Sequence, residues 1–366
     1  MSHTKELVEE ALQKLEKYLE EQYTEKYIPT VEFSTSVKRT GINRWLNKFG
    51  MHVLRTKEWE MFKQAPENEF AKLSSFQFYQ LAKKQPEAFD ETYNVLANEE
   101  SKKTFDWYVK YRTAYAFIGE RAYELFIPPI SREDWVERTK RLRTTANRKY
   151  KVDKYEILGG VAVETTFLIE QYRYNDKVVP EPGDIVLDVG AYVGEASLWF
   201  SSIVGSEGTV YAFEPEPMAF RMLRNNLKVN NIQNVIPVNM AVGDTDKLMK
   251  LSGNSGASVL TESMNGAVVK VITIDSFVAQ QHFTKVSFMK MDVEGYELNA
   301  LIGASETIQK FKPKLAICAY HKGDDLITLP QFIRSLDPNY KLYLRHCTPT
   351  WAETVLYAEH PTLTSN

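Results

Sequence analysis

The tightest constraint on what this chain can fold into lies in residues 186–195, Val-Leu-Asp-Val-Gly-Ala-Tyr-Val-Gly-Glu. A short apolar run (Ile185, Val186, Leu187, Val189) ends in Asp188, Gly190 and Gly194, and a helical pattern starts at Glu195. This reads as a buried strand, a glycine turn and a helix start, the arrangement that holds a nucleotide-type cofactor. Glycine lets backbone and ligand approach closely because it has no Cβ. Asp188 puts a carboxylate at the strand's carboxyl end, where open α/β sheets bind their ligands.

The same residues discriminate between cofactors. A dinucleotide fingerprint wants Gly-x-Gly-x-x-Gly, so that the pyrophosphate can rest on the helix N-terminus. Here Asp188 replaces the first glycine, and its charge would repel a diphosphate. S-adenosyl-L-methionine carries a sulfonium, an amino group and ribose hydroxyls and no phosphate, so it suits this turn; S-adenosyl-L-homocysteine would be the product. Asp188, Gly190, Ala191, Gly194 and Glu195 form the expected cofactor loop. A second strand, 209–213, ends at Glu214-Pro215. An acid about 20 residues beyond such a turn accepts hydrogen bonds from ribose hydroxyls, so Glu214 and Pro215 join the set. A third strand, 235–242, places Met240 and Ala241 as the expected adenine wall, with Asp244 either a polar contact or a solvated turn residue.

A fourth strand runs from Val286 to Met291 and ends in Asp292-Val293-Glu294-Gly295, with a helix expected over 298–310. Asp292 and Glu294 lie two apart, so on an extended chain they point to the same side. Glu294 and Glu297 also read as acids stabilised at a helix N-terminus. A fifth strand, 314–320, ends at His321, and a helix over 325–336 and two β-rich runs, 340–345 and 354–358, follow. Strand and helix alternate throughout, which specifies an α/β, doubly wound sheet.

Residues 183–358 resemble the FkbM family of methyltransferases. The matching stretches are GDIVLDVGAYVGEAS, VYAFEPEP, NMAVGD, FMKMDVEGYE and ETVLYA. The resemblance implies a class I (Rossmann-like) methyltransferase fold, a mostly parallel sheet with an antiparallel last strand. It also implies O-methylation of a hydroxyl on a sugar or natural product. The family's DxEG stretch matches Asp292, Glu294 and Gly295, whereas Tyr192 stands where many members have Asn.

Methyl transfer to oxygen needs in-line placement and a proton acceptor within hydrogen-bond reach of a neutral alcohol. The candidate catalytic residues are His321, Asp292 and Glu294, and Asp292 is also a candidate cofactor contact. His321, with the reference pKa nearest neutrality, is the natural base; the alternative is a histidine capping the next turn. No compact ligand spacing points to a metal, so none is expected. The Asn/Asp-Pro-Pro-aromatic signature of amino-group methylation on bases is absent.

Residues 1–150 are rich in Glu, Lys and aromatics and poor in Gly. Helices are expected over 4–22 and near 41–63, 69–83, 87–97 and 100–124, with turns at Pro66 and Pro86. The expected organisation is a helical N-terminal domain (1–150), a connector with strand-like segments (151–182) and a methyltransferase domain (183–366). The helical part reads as an acceptor-selecting cap, a homodimerisation surface or a plain stabilising domain. Its aromatic cluster from Phe105 to Phe117 reads as core. The basic stretch after Trp135, with Arg141 and Arg143, reads as a solvated face.

A net charge of −3 suggests no nucleic-acid partner, and no apolar run is long enough to span a bilayer. Two cysteines and a polar N-terminus point to a reducing, cytoplasmic setting. The expected partner is a small-molecule or glycan hydroxyl acceptor. The competing readings are a non-catalytic binding module of the same fold and an NAD-dependent oxidoreductase.

Overall fold

The computed structural model describes residues 2–26, 69–145, 149–252, 259–261 and 267–361. The helix expected near 41–63 and the turn at Pro66 lie outside the described residues. The chain begins with α1 (His3–Lys26), α2 (Glu69–Lys84), α3 (Pro86–Val95), α4 (Glu99–Ile118), α5 (Ala122–Leu125) and α6 (Arg132–Thr139). Local chemistry sets their starts. Pro86 opens α3, where a missing N–H costs nothing. Asn98 caps α4 by accepting the Ser101 N–H, and Ser131 with Asp134 forms a capping box on α6.

Strands β1 (Arg143–Thr145), β2 (Lys149–Val152) and β3 (Tyr155–Leu158) then form a small antiparallel sheet, followed by α7 (Val163–Phe167). The regular elements thus switch from helix to strand at Arg143, and the connector holds both a strand and a helix.

The central sheet has seven strands. In chain order they are β4 (Ile185–Val189), β5 (Thr209–Phe213), β6 (Val235–Val238), β11 (Phe288–Met291), β12 (Lys314–Cys318), β13 (Lys341–His346) and β14 (Thr354–Glu359). Their spatial order is β13-β14-β12-β11-β4-β5-β6. β14 runs antiparallel to both its neighbours and the other pairs are parallel. The expected mostly parallel sheet with an antiparallel last strand is therefore present. The sheet's order reverses at β4, and β4, β11 and β12 all end on the same edge.

Two local expectations need correction. The strand expected over 235–242 is two strands. β6 is the edge of the large sheet and contains Pro237, which cannot donate to a ladder and is tolerated only on an edge. After a tight turn in which the Met240 N–H reaches the Val238 carbonyl, β7 (Ala241–Val242) enters a second sheet. That sheet also holds β8 (Lys247–Ser252), β9 (Val259–Thr261) and β10 (Ala267–Ile272), in the order β7-β10-β8-β9. The helix expected over 298–310 is likewise two, α11 (Glu297–Ile302) and α12 (Ser305–Phe311). They break at Gly303, where a Cβ would lie 2.0 Å from the Gly243 carbonyl oxygen. The remaining helices are α8 (Glu195–Val204), α9 (Pro217–Val229), α10 (Ile274–Gln280) and α13 (Asp325–Leu336).

Each face of the sheet carries its own core. On one, Leu7, Val8, Phe78, Phe89, Phe105 and Tyr108 of α1–α4 share a cluster with Leu315, Ile317, Leu342 and Leu344. On the other, Leu198 and Phe200 of α8, Leu223 of α9 and the connector's Tyr172 and Tyr174 pack on Val186, Ala316 and Tyr357. The N-terminal helices thus supply one of the layers that covers the sheet; of their aromatics Phe105, Tyr108, Tyr111 and Tyr115 are buried as core, while Trp107 and Phe117 are half-buried. No helix among the described residues is long and apolar enough to cross a membrane.

Candidate functional site

The glycine turn rests directly on the end of β11. Gly190 has φ +86°, and a Cβ there would sit 1.8 Å from the Asp292 carbonyl oxygen, so only glycine fits. The Gly190 and Ala191 N–H groups donate to the Phe213 carbonyl at 3.1 and 2.8 Å. Gly194, at φ +95°, is the N-cap of α8. Glu214, buried at the end of β5, accepts the Tyr192 N–H at 2.8 Å and the Glu216 N–H at 2.7 Å. Burial raises its pKa to about 7 against those two amides. Beside it, Pro215 and Met240 are half-buried and Ala241 is buried.

Asp188 is fully buried, and its charge is answered within the protein. Lys290 Nζ lies 3.1 Å from Asp188 Oδ1 and donates to the Gly190 carbonyl at 2.6 Å. The Ser197 hydroxyl donates to Asp188 Oδ2 at 2.5 Å. Burial acts to lower the Lys290 pKa, but Asp188 and Asp292 outweigh it and raise it. A carboxylate removed from water needs such a partner. Lys290 escaped the sequence reading. Its signal was present: a lysine inside the apolar run Phe288–Met291 requires a buried counter-ion.

Glu195 is also committed. Its carboxylate accepts the Val161 N–H at 2.9 Å and the Ala162 N–H at 3.3 Å, tying the connector to the start of α8. The acid closes the helix N-terminus on which a pyrophosphate would rest, and this disfavours a dinucleotide. Asp244 accepts from Asn299 at 2.9 Å and pairs with Lys247 at 3.2 Å, so it organises the β7–β8 turn.

Asp292, Glu294 and His321 come together. His321 Nε2 lies 3.6 Å from Asp292 Oδ1 and 3.7 Å from Glu294 Oε2, and Nδ1 lies 2.9 Å from Glu297 Oε1. The carboxylates do not converge by strand alternation, as expected, because β11 stops at Met291. A turn with Glu294 at φ +53° and Gly295 at φ +90° brings them together instead. Glu297, buried at the first position of α11, also accepts the Val293 and Gly295 N–H groups at 2.9 and 3.3 Å. The helix-start reading of Glu297 was thus half of its role. Tyr172 from the connector donates to Asp292 Oδ2 at 3.0 Å. Glu353, in the β13–β14 connection, accepts from Tyr320 at 3.3 Å.

This setting changes the expected chemistry of His321. Burial alone would lower its pKa, but Glu297, Asp292 and Glu294 outweigh that and raise it to about 10. That direction favours the protonated ring over the neutral one a general base needs. Glu294 is shifted toward weaker acidity than a free carboxylate. Burial and the neighbouring acids raise its pKa to about 7, partly opposed by His321. Glu353 is pushed up to about 8, chiefly by burial and Asp292.

The N-terminal helices hold the His321 loop by its backbone. Ser74 donates to the His321 carbonyl at 2.8 Å, and the buried Arg112 bridges Ser74 Oγ at 2.7 Å and the Tyr320 carbonyl at 3.1 Å. Neither residue was legible as part of the site.

A sheet reversing at β4, a glycine turn after that strand and carboxylates on the ends of its neighbours define a class I methyltransferase fold. The comparisons narrow this further. Residues 188–347 match the family described as Methyltransferase FkbM domain. The structure resembles a crystal structure of methyltransferase FkbM from Methylobacillus flagellatus, with a TM-score of 0.52 and 23% identity. That likeness covers 76% of this chain, so it reaches beyond residues 183–366, but only 60% of the other chain's length. Among curated proteins the chain is 28% identical over 176 residues to the hexuronic acid methyltransferase AglP of Haloferax volcanii, covering 45% of this chain and 70% of AglP.

Proposed function

We propose that this protein transfers a methyl group from S-adenosyl-L-methionine to an oxygen of a sugar or related natural-product acceptor, a hydroxyl oxygen in the first instance. The observation that carries the reading is the meeting of Asp292 and Glu294 with His321 beside the glycine turn, on the carboxyl edge of the sheet. The residues fit the cofactor: the turn is held open by Gly190, a buried acid ends β5, and the helix N-terminus is closed to phosphate by Glu195. Gly190, Ala191, Glu214 and Pro215 would hold it, with Met240 and Ala241 on the adenine side. When bound, it supplies a methyl group on a sulfonium, already a good electrophile.

The protein's own contribution is placement and proton removal. Glu294 takes the acceptor's hydroxyl proton and becomes a neutral acid, while the His321 imidazolium stabilises the negative charge that develops on the acceptor oxygen. Glu297 and the Ser74–Arg112 bridge fix where the ring stands.

Calorimetry with S-adenosyl-L-homocysteine tests the cofactor step. Micromolar binding, weakened at least tenfold in Glu214→Ala, is expected; no binding sinks the proposal. Methyl transfer from labelled donor to a panel of sugars, hexuronic acids included, should then drop roughly 10²–10⁴-fold in Glu294→Gln. The rate should rise as pH passes through about 7, where Glu294 ionises. A hexuronic acid also offers its carboxylate as acceptor, a reaction needing no base. An alkali-labile methyl ester and an unaffected Glu294→Gln variant would move the acceptor atom there.

A further inference from the structure

A cleft of about 830 Å³ opens away from the His321 cluster, walled by α4, α6, the connector and the end of β13. It is strongly basic: Lys103, Arg138, Arg141, Arg173 and Arg345 all line it. Two acids, Glu100 and Glu170, also line it, and both have partners. Glu170 pairs with Arg173 at 3.5 Å, and Glu100 accepts from the Tyr174 hydroxyl at 3.3 Å. Arg345 is fixed by donating to the carbonyls of Ile169, Glu170 and Arg173. Among the described residues no carboxylate pairs with Lys103, Arg138 or Arg141, all three of which are exposed. Ile127, 61% exposed, adds an apolar wall beside Trp107.

The cleft and the carboxylate cluster are built from the same pieces. Arg345 pairs with Val355, Val355 with Cys318, and β12 and β11 are in register up to Ile317–Met291. Arg345 therefore stands in the same row as Asp292, three strands away, a separation of about 14 Å at about 4.8 Å per strand. The connector bridges that gap. Its Tyr172 touches Asp292, while its Arg173 and Tyr174 line the cleft. An acceptor longer than one sugar ring could occupy both places at once.

Resting on the methyltransferase reading above, we propose that this cleft anchors an anionic group of the acceptor, a phosphate or a carboxylate, held by Lys103, Arg138 and Arg141. The acceptor's reacting oxygen then lies at Glu294. Cations that no acid among the described residues pairs with lower the free energy of an anion in the cleft, and guanidinium groups match the geometry of both oxyanions.

The test is calorimetry on the full chain with two probes, inorganic pyrophosphate and trigalacturonate, in wild type and in the Arg138→Ala/Arg141→Ala double variant. Both arginines are exposed, so the variant should fold as the wild type does. Binding of at least one probe that weakens with added salt and falls tenfold or more in the variant is expected, and the probe that binds identifies the oxyanion. Failure of both probes to bind, or undiminished binding to the variant, overturns the proposal. S-adenosyl-L-homocysteine affinity, measured on the same samples, should be equal in both proteins. Its loss in wild type would condemn the methyltransferase reading, and its retention with no probe binding would condemn only the cleft.

Discussion

Two buried cations stand on neighbouring strand ends of this sheet, and they are used in opposite ways. Lys290 forms a closed pair with Asp188, supported by Ser197 and the Gly190 carbonyl, and both partners are almost wholly out of water. His321 is as deeply buried but faces three carboxylates, two of them partly open to solvent. The first arrangement balances charge and fixes the glycine turn to β11. The second leaves excess negative charge around one ring, which keeps His321 protonated and lets Glu294 titrate near neutrality. A satisfied ion pair makes a frame, whereas an over-supplied cation makes a site that can exchange protons.

The largest effect is expected at the closed pair. Lys290→Met leaves Asp188 buried without its cation and should cost about 3–5 kcal/mol of stability. Urea denaturation measures this, and the double variant Asp188→Asn/Lys290→Met should recover much of it. A loss below 1 kcal/mol in the single variant would mean that Asp188 is not held as a frame.

The pH dependence of stability should distinguish His321 next. Its folded pKa is raised to about 10 from an unfolded value near 6.5, so the protonated ring stabilises the fold. That contribution is complete below pH about 6.5 and is lost as pH rises through about 10. The stability gap between wild type and His321→Gln should shrink by a few kcal/mol between pH 6 and pH 10. An equal gap at both pH values would show a neutral ring and break the contrast with Lys290.

The smallest effect concerns the helices that hold the ring's backbone. Ser74→Ala removes two buried hydrogen bonds, one donated to the His321 carbonyl and one accepted from Arg112, and should cost about 2 kcal/mol. If the bridge positions His321, the variant should also shift the ring's pKa, read by NMR; a stability loss with no such shift would reduce Ser74 to packing.

Much of this architecture was legible because it rests on local rules. The run Ile185–Val189 followed by Gly190 and Gly194 specifies a buried strand and a turn that only glycine can make, and the structure has both. Errors arose where a distant backbone intruded. Gly303 breaks a helical pattern because the Gly243 carbonyl passes against it, 60 residues earlier in the chain. The second sheet, β7 to β10, was not anticipated because its strands are short and one is split off by the turn after Val238.

The sequence by itself determined that β4, β5 and β11 would end at Val189, Phe213 and Met291, and therefore that Asp188, Glu214 and Asp292 would share one edge of an α/β sheet with His321 beyond β12. Strand periodicity and glycine's backbone freedom are properties of neighbours in the chain. The charge state of each group was decided only by tertiary structure. Asp188 is neutralised by a lysine 102 residues away, and Asp292 is bound by a tyrosine 120 residues away. The His321 pKa is raised by Asp292 and Glu294 in the turn after β11 and by Glu297 at the start of α11. Solvation and Coulomb energy depend on what surrounds a group in space, and spacing along the chain does not carry that information.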